Sequence, residues 1–427
     1  MLDCKLIREQ PDVVAAALRS KGVVIDLTRI LALDVERREL QGRVEAVAAE
    51  KRASSARIAN AAGAERMQLL EALKDVDQRG DVDAERLKQV DQELQGLLWQ
   101  LPNIPLPDVK MGRDDSENEI IRSVGLLPQF PFPPRASWEL GPSLGMFDTE
   151  RAGKVSGSRF GYLLGHGALL EFALLRYALR TLTAAACTPV VPPVLIGSAA
   201  MDAMGYTLHG GKEETYYLDR DDLYLVGTSE QSIGPMHMGE IFTEAELPKR
   251  YMGFSTCFRR EAGTYGKDTK GIFRVHQFDK IEMFSFTTAA AADAEHERLL
   301  ALEEQLLQGL GLPYQVVKMC TGDLGVPAAR KYDLEAWFPS ERRYRELTST
   351  STCTDWQARR LRIRYRPADG GSLQFVHTLN GTAFAIGRTI CAILEHYQQA
   401  DGSVIVPEVL RTDVGSDCIL PTGSNRT

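Results

Sequence analysis

Residues Phe258–Phe278, FRREAGTYGKDTKGIFRVHQF, read as strand, polar glycine-containing loop, strand. The alternation predicts one strand over Tyr251–Arg260 and a long one over Phe273–Phe286, paired as a hairpin. Arg259 and Arg274 flank the loop, and two guanidiniums at a hairpin base suit a polyphosphate. Phe278, four residues beyond Arg274, falls on the same strand face and offers a ring for base stacking. The competing reading of these charges is surface ion pairing with Glu261 and Asp268.

Further strands are predicted over Thr215–Asp219, Leu223–Val226, Tyr314–Met319, Lys331–Phe338 and a segment within Gln357–Tyr365. Helices are predicted over Glu171–Ala185 (apolar on several faces, so largely buried), Ala289–Leu310 and Phe384–Gln399. The double proline in Val190–Ile196 places that stretch at a sheet edge or an interface. Strands joined by short loops favour a largely antiparallel sheet with flanking helices, an α+β core. Neither GxGxxG after an early strand nor GxxxxGK[ST] occurs, so Rossmann and P-loop chemistry lack support.

Three other polar clusters stand out. Gly227-Thr228-Ser229-Glu230 offers hydroxyls and a carboxylate for an ammonium and a small polar substituent. Glu346-Leu347-Thr348-Ser349 offers oxygens suited to Mg²⁺ shared with nucleotide phosphates. Asn380–Arg388 runs from small residues into an apolar helix with one arginine, which needs an anion if buried. Together they describe an ATP and amino-acid site. No His/Cys quartet exists, so no structural zinc is expected, and residue order supports no Ser-His-Asp nucleophile.

Length and composition set the frame. At 427 residues the chain has room for two or three domains, and 44% hydrophobic with 25% charged residues is ordinary for a soluble protein. No apolar run is long enough to span a membrane, and the charged N-terminus argues against a secretory signal. Seven scattered cysteines without a CxxC pair suggest reduced thiols and a cytoplasmic location. The net charge of -8 gives no support to a wholly basic nucleic-acid binder, although an acidic chain can carry a local basic track.

Residues 1–104 differ in texture from 105–427. Segment 1–26 predicts one or two short helices, with Pro11 at a start and Gly22 at a stop. No proline interrupts 27–101, where Leu87, Val90, Leu94, Leu97 and Leu101 form a heptad seam. Leu27, Leu31, Leu40, Val44, Val47 and Ile58 form the facing stripe, and Asn60–Ala64 the turn of an antiparallel hairpin. Gly80, among Asp75, Asp77, Asp81 and Asp83, predicts a bend or break near 79–82. Arg37, Arg38, Arg43, Lys51, Arg52 and Arg57 make either a face for a nucleic-acid backbone or a solvated coiled-coil surface.

The motifs then resemble one family. Residues 258–282 resemble motif 2, and 377–398 motif 3, of bacterial-type seryl-tRNA synthetases; 170–194 is placed like motif 1. GTSE at 227–230, CTGDLGVPAARKYDLEAWFP at 320–339, ELTSTSTCTDWQARRLRIRYR at 346–366 and VIVPEVLR at 404–411 also match the serine-specific members. The resemblance implies a class II antiparallel core, a homodimer with Pro193 at its interface, and an N-terminal coiled coil that grips tRNA. It implies ATP, Mg²⁺ and L-serine as ligands, and serine tRNA with its long variable arm, and selenocysteine tRNA, as partners. It implies activation of serine as seryl-adenylate, then transfer to the tRNA 3′ end.

Carried onto this chain, Arg259 contacts the α-phosphate, Glu261 positions the nucleotide, Arg274 and Arg388 hold the β- and γ-phosphates, and Phe278 stacks on adenine. Arg260, Leu347 and Thr348 join the nucleotide site, and Glu346 and Ser349 ligate Mg²⁺. Thr228, Ser229, Glu230, Glu282 and Thr382 form the serine pocket. The six cations of the hairpin become tRNA contacts. Departures from the family pattern are small: Thr382 where serine is common, Arg260 between two key residues, and Lys267 where arginine is common. A paralogue that loads a carrier protein would lack the hairpin. A degenerate, non-catalytic relative would have lost Arg259, Arg274, Arg388 or Glu346, and all four are present.

Overall fold

Short connections between alternating strands build the antiparallel sheet that the pattern demands. The computed structural model describes residues 1–262 and 270–423; Lys267 and Asp268 lie outside the described residues. Two compact units divide at Pro102/Asn103.

In the first unit, α1 (Cys4–Glu9) and α2 (Pro11–Ser20) precede the helices α3 (Leu27–Asn60) and α4 (Gly63–Trp99). Asp26 caps α3 by accepting from the Thr28 amide. Val90 and Leu94 of the predicted seam are buried, with Ile30, Leu33 and Leu40 on α3. Ion pairs Arg29–Glu93, Arg86–Glu36, Arg43–Asp83 and Lys51–Asp77 fix the register: residue numbers rise along α3 as they fall along α4.

The expected break near Gly80 does not occur; α4 runs unbroken through it. Gly80 is buried, and a Cβ there would sit 2.7 Å from Val47 Cγ1. The glycine permits close helix approach instead of ending the helix.

In the second unit the main sheet has eight strands. These are β1 (Glu119–Val124), β2 (Thr188–Val190), β3 (Lys249–Phe258), β4 (Gln277–Thr287), β5 (Tyr314–Lys318), β6 (Arg330–Phe338), β7 (Arg343–Thr352) and β8 (His377–Ala385). Their order is β1-β5-β6-β7-β8-β4-β3-β2. Every neighbouring pair is antiparallel except β2 with β3, which leaves the proline-bounded β2 at an edge, as the double proline requires. Helices α5 (His166–Ala184), α6 (Ala292–Gly309) and α7 (Ile386–Tyr397) contribute Leu174, Leu182, Leu299, Leu306, Ile390 and Ile393 to a core shared with Met283, Leu334 and Phe384 of the sheet.

Four predicted elements change. The long strand over 273–286 begins only at Gln277. Phe384 lies within β8, which runs to Ala385, rather than starting α7. Residues Trp356–Leu361 are helical, and the short strand is only Arg364–Arg366. Helix α5 is not buried all round: Phe172 is 58% exposed, and Leu169 is exposed beside it.

Two bulges shape the sheet. Leu334 pairs with Thr348 but Glu335 pairs with Glu346, which leaves Leu347 as an extra residue in β7. Glu282 pairs with Thr382 while Ile281 pairs with Phe384, which leaves Ala383 extra in β8. Each bulge shifts the period-2 alternation by one residue and re-aims the side chains beyond it.

Candidate active site

The first bulge brings a metal-ligand pair onto one face. Residues 346 and 349 of a regular strand point to opposite sides. With Leu347 inserted, Glu346 shares a face with Ser349 and Ser351, opposite Glu335, Asp333 and Lys331 of β6. Leu347 packs in the core, and the Thr348 hydroxyl donates to Glu303 at 3.0 Å. These two residues border the site, but their side chains are committed to the other face.

A cavity of about 230 Å³ lies over this part of the sheet, lined among others by Arg259, Glu261, Arg274, Phe278, Glu346 and Arg388. The Arg259 guanidinium lies over the Phe278 ring, 5.4 Å from its centre, while its Nε donates to the Gly227 carbonyl at 3.1 Å. Arg274 donates to Glu261 at 2.8 Å, so the predicted phosphate clamp and nucleotide-positioning carboxylate form one unit. Arg388 donates to Glu346 at 3.0 Å, the anion that the lone arginine required. Burial pushes the Glu346 carboxyl up, but the Arg388 charge, with Lys331 behind it, outweighs burial and pulls its pKa down to about 2. Phe273 braces this corner, with the Arg345 guanidinium 3.6 Å and that of Arg388 5.2 Å from its ring centre.

A second cavity of about 600 Å³ adjoins the first and is lined by Thr228, Glu230, Glu282 and Thr382 among others. Glu230 is buried; Tyr206 Oη donates to one of its oxygens at 2.7 Å, and Gln357 and Asn380 donate to the other at 3.0 and 3.1 Å. Burial, then the charge of Glu282, raises the Glu230 pKa, and the donated hydrogen bonds oppose that rise. Thr382 donates to Glu282 at 3.2 Å across the second bulge, and Lys280 forms a buried ion pair with Glu282.

Two assigned residues are not brought in. Arg260 is exposed and stacks over Tyr216, 5.5 Å from the ring centre, outside the lining of the nucleotide cavity. Ser229 is fully buried beneath Gly253 and does not line the amino-acid cavity. The cations of the hairpin are mostly engaged. Arg37 and Arg38 converge with Arg8 on buried Asp34, and Arg43 and Lys51 pair across to α4. Arg52 and Arg57 are exposed, without an ion pair among the described residues.

Sequence reasoning missed Lys280, Lys331, Asp333, Tyr206 and Gln357. One signal was available: KYDLEA at 331–336 alternates charged and apolar residues along a strand of a buried sheet. A charged face there needs a polar cleft.

Comparison with known proteins shows the family. A family model described as the tRNA synthetase class II core domain (G, H, P, S and T) matches residues 213–397, and the seryl-tRNA synthetase N-terminal domain matches residues 1–105. The chain is 49% identical to a serine–tRNA ligase of Acidothermus cellulolyticus, covering 99% of this chain and 100% of the relative. It is 48% identical to one of Thermobifida fusca, covering 99% of each. Among solved structures, seryl-tRNA synthetase from Pyrococcus horikoshii complexed with ATP superposes with a TM-score of 0.92 at 38% identity, over 99% of this chain and 100% of the other. Cytoplasmic serine–tRNA ligase from Naegleria fowleri in complex with AMP gives 0.87 at 33% identity, over 99% of each.

Proposed function

The chain belongs to the class II seryl-tRNA synthetases, and from that premise we propose how its residues share the work. The enzyme is a serine–tRNA ligase: it binds ATP, activates serine as seryl-adenylate and transfers the seryl group to serine tRNA.

The observation that carries the assignment of roles is the common wall of the two cavities, where Arg259, Ser349 and Thr382 border both. The serine carboxylate and the α-phosphate meet there. Phe278 stacks on adenine, Arg259 contacts the α-phosphate, Arg274 and Arg388 hold the outer phosphates, and Glu261 locks Arg274 in place. Glu230 and Thr228 receive the serine ammonium. Thr382 and Glu282 pair with the hydroxyl, so alanine would leave buried groups unpaired.

Glu346 and Ser349 would hold Mg²⁺ together with ATP phosphates. They fit it: the bulge puts two hard oxygen donors on one face, and Glu346 is held ionised beside Arg388. Bound there, the ion would neutralise charge on the phosphates. The attacking carboxylate is already anionic, so no side-chain nucleophile is required, and orientation supplies much of the rate. In the second step a terminal ribose hydroxyl of the tRNA attacks the activated carbonyl.

The proposal includes a homodimer through the exposed apolar face of α5, with Val191 and Pro193, both exposed, beside it in the chain at the end of β2. It includes contact of the hairpin with the tRNA backbone, led by Arg52 and Arg57. The ion-paired cations follow, since exposed pairs are weak enough for phosphates to replace. Shape-based reading of a long variable arm extends the proposal to selenocysteine tRNA. Seven free thiols favour a reducing, cytoplasmic setting. Among the described residues no helix is long and apolar enough to cross a membrane.

Serine-dependent ATP–pyrophosphate exchange tests the reading, with alanine, threonine and cysteine as controls. Strong exchange with serine alone is expected; no exchange from folded protein with Mg²⁺ present would overturn it.

A further inference from the structure

Five side chains border both the nucleotide cavity and the amino-acid cavity: Arg259, Lys280, Lys331, Ser349 and Thr382. Adenylation happens at this wall, and it brings two anions together. A serine carboxylate oxygen bonds to the α-phosphorus while the bond from that phosphorus to the pyrophosphate oxygen breaks; no proton moves. Like charges brought together in a partly desolvated cleft must be met by fixed cations.

The three cations on the wall are not equivalent. Lys280 is buried and tied to Glu282. Arg259 is pinned through Nε to the Gly227 carbonyl, with its guanidinium over the Phe278 ring. Lys331 stands on β6 opposite Ser351 and lines both cavities, with its side chain 24% exposed. Its ammonium lies 2.9 Å from one oxygen of Asp333 and 3.3 Å from the other. Burial works against the Lys331 charge, but Asp333 and then Glu346 outweigh it and raise its pKa. Its hydrogen bond to Asp333 goes to the farther oxygen, at 3.3 Å, and leaves N–H donors for a ligand in the cavities that it lines.

We propose that Lys331 is a further catalytic residue, whose ammonium touches the serine carboxylate and the α-phosphate as they meet. This rests on the reading above that the wall is the adenylation site. Asp333 is then a positioning residue that holds the ammonium at the wall.

The test is steady-state exchange on the full-length enzyme with ATP, Mg²⁺ and serine. Lys331→Met is expected to lower kcat about 100-fold, the scale for losing one fixed charge stabiliser, with KM for ATP changed by less than about threefold. Lys331→Arg keeps the charge and is expected to retain more activity than the Met variant. The double variant Lys331→Met/Asp333→Asn strands no buried carboxylate, so it separates chemistry from folding, and it is expected to stay as slow as Lys331→Met. Recovery of wild-type exchange by the double variant would show that Lys331 only neutralises Asp333, and would overturn the proposal. So would undiminished exchange by Lys331→Met beside an active wild type. Absence of exchange in the wild type would overturn the underlying reading instead, and this proposal with it.

Discussion

Glu303 shows what a single buried carboxyl does under a catalytic sheet. It sits on the core side of the sheet, fully buried, accepting from Thr348, and a Cβ on Gly381 would approach its other oxygen to 2.8 Å. Burial pushes its pKa well above the usual carboxylate range. In the unfolded chain it titrates near ~4.3. The stability it contributes is therefore complete below that pH and is lost as pH rises, because the unfolded state sheds a proton that the folded state keeps. Glu303→Gln is neutral at every pH. Its thermal midpoint relative to wild type is expected to climb from pH 5 to pH 8, by up to about 1.4 kcal/mol of stability per pH unit. Parallel pH profiles for the two proteins would refute the neutral buried state. At this scale the sequence was most legible where chemistry was isolated: Arg259, Arg274, Arg388 and Glu346 stand out because buried or clustered charges demand partners. Gln357 stayed hidden because its partners, Glu230 and Thr378, are distant in the chain, and Lys331 carried only the hint of the alternating KYDLEA strand, which does not say what that face lines.

Helices and strands carry a second kind of information. The heptad spacing and the proline-free run define the helical hairpin, yet Gly80 was misread. Intrinsic propensity puts glycine about 1 kcal/mol below alanine in a helix. The Val47 methyl, 2.7 Å from where a Cβ would lie, reverses the preference. Val47 is β-branched and has one favoured rotamer in a helix, so it cannot swing aside. Gly80→Ala is expected to destabilise the hairpin, at about 1–3 kcal/mol for overpacking less the propensity gain. In a Val47→Ala background the same change is expected to stabilise it by about 1 kcal/mol. Amide hydrogen exchange along α4 reads both; the same sign in the two backgrounds would defeat the packing account. The bulges at Leu347 and Ala383 were equally invisible, since register comes from the partner strand. They decide which residues face the ligands.

On the scale of the whole molecule, α5 is the telling element. Its apolar residues on several faces suggested that it is largely buried, and the core covers one side of it while the other stays open. Phe172 and Leu169 remain exposed, and Val191 of the same motif is 85% exposed. The homodimer proposed above would cover this exposed apolar surface. A charge at the centre of such a face would be desolvated without a partner. Phe172→Glu is therefore expected to convert a dimer to a monomer in sedimentation equilibrium, with exchange activity falling as the dimer is lost. A wild type that sediments as a monomer would remove α5 as the interface.

The chain order of residues alone determined the class of fold, the helical hairpin, the edge position of β2 and the charged groups of the nucleotide site. Those follow from periodicity, from proline's missing donor and from motifs whose residues are adjacent in sequence. Only the tertiary structure decided that Glu346 and Ser349 share a face, that Arg260 and Ser229 stand apart from the cavities, and that Lys331 lines both of them. Each of those depends on register and burial, which are set by contacts between residues distant in the chain and so leave no local trace.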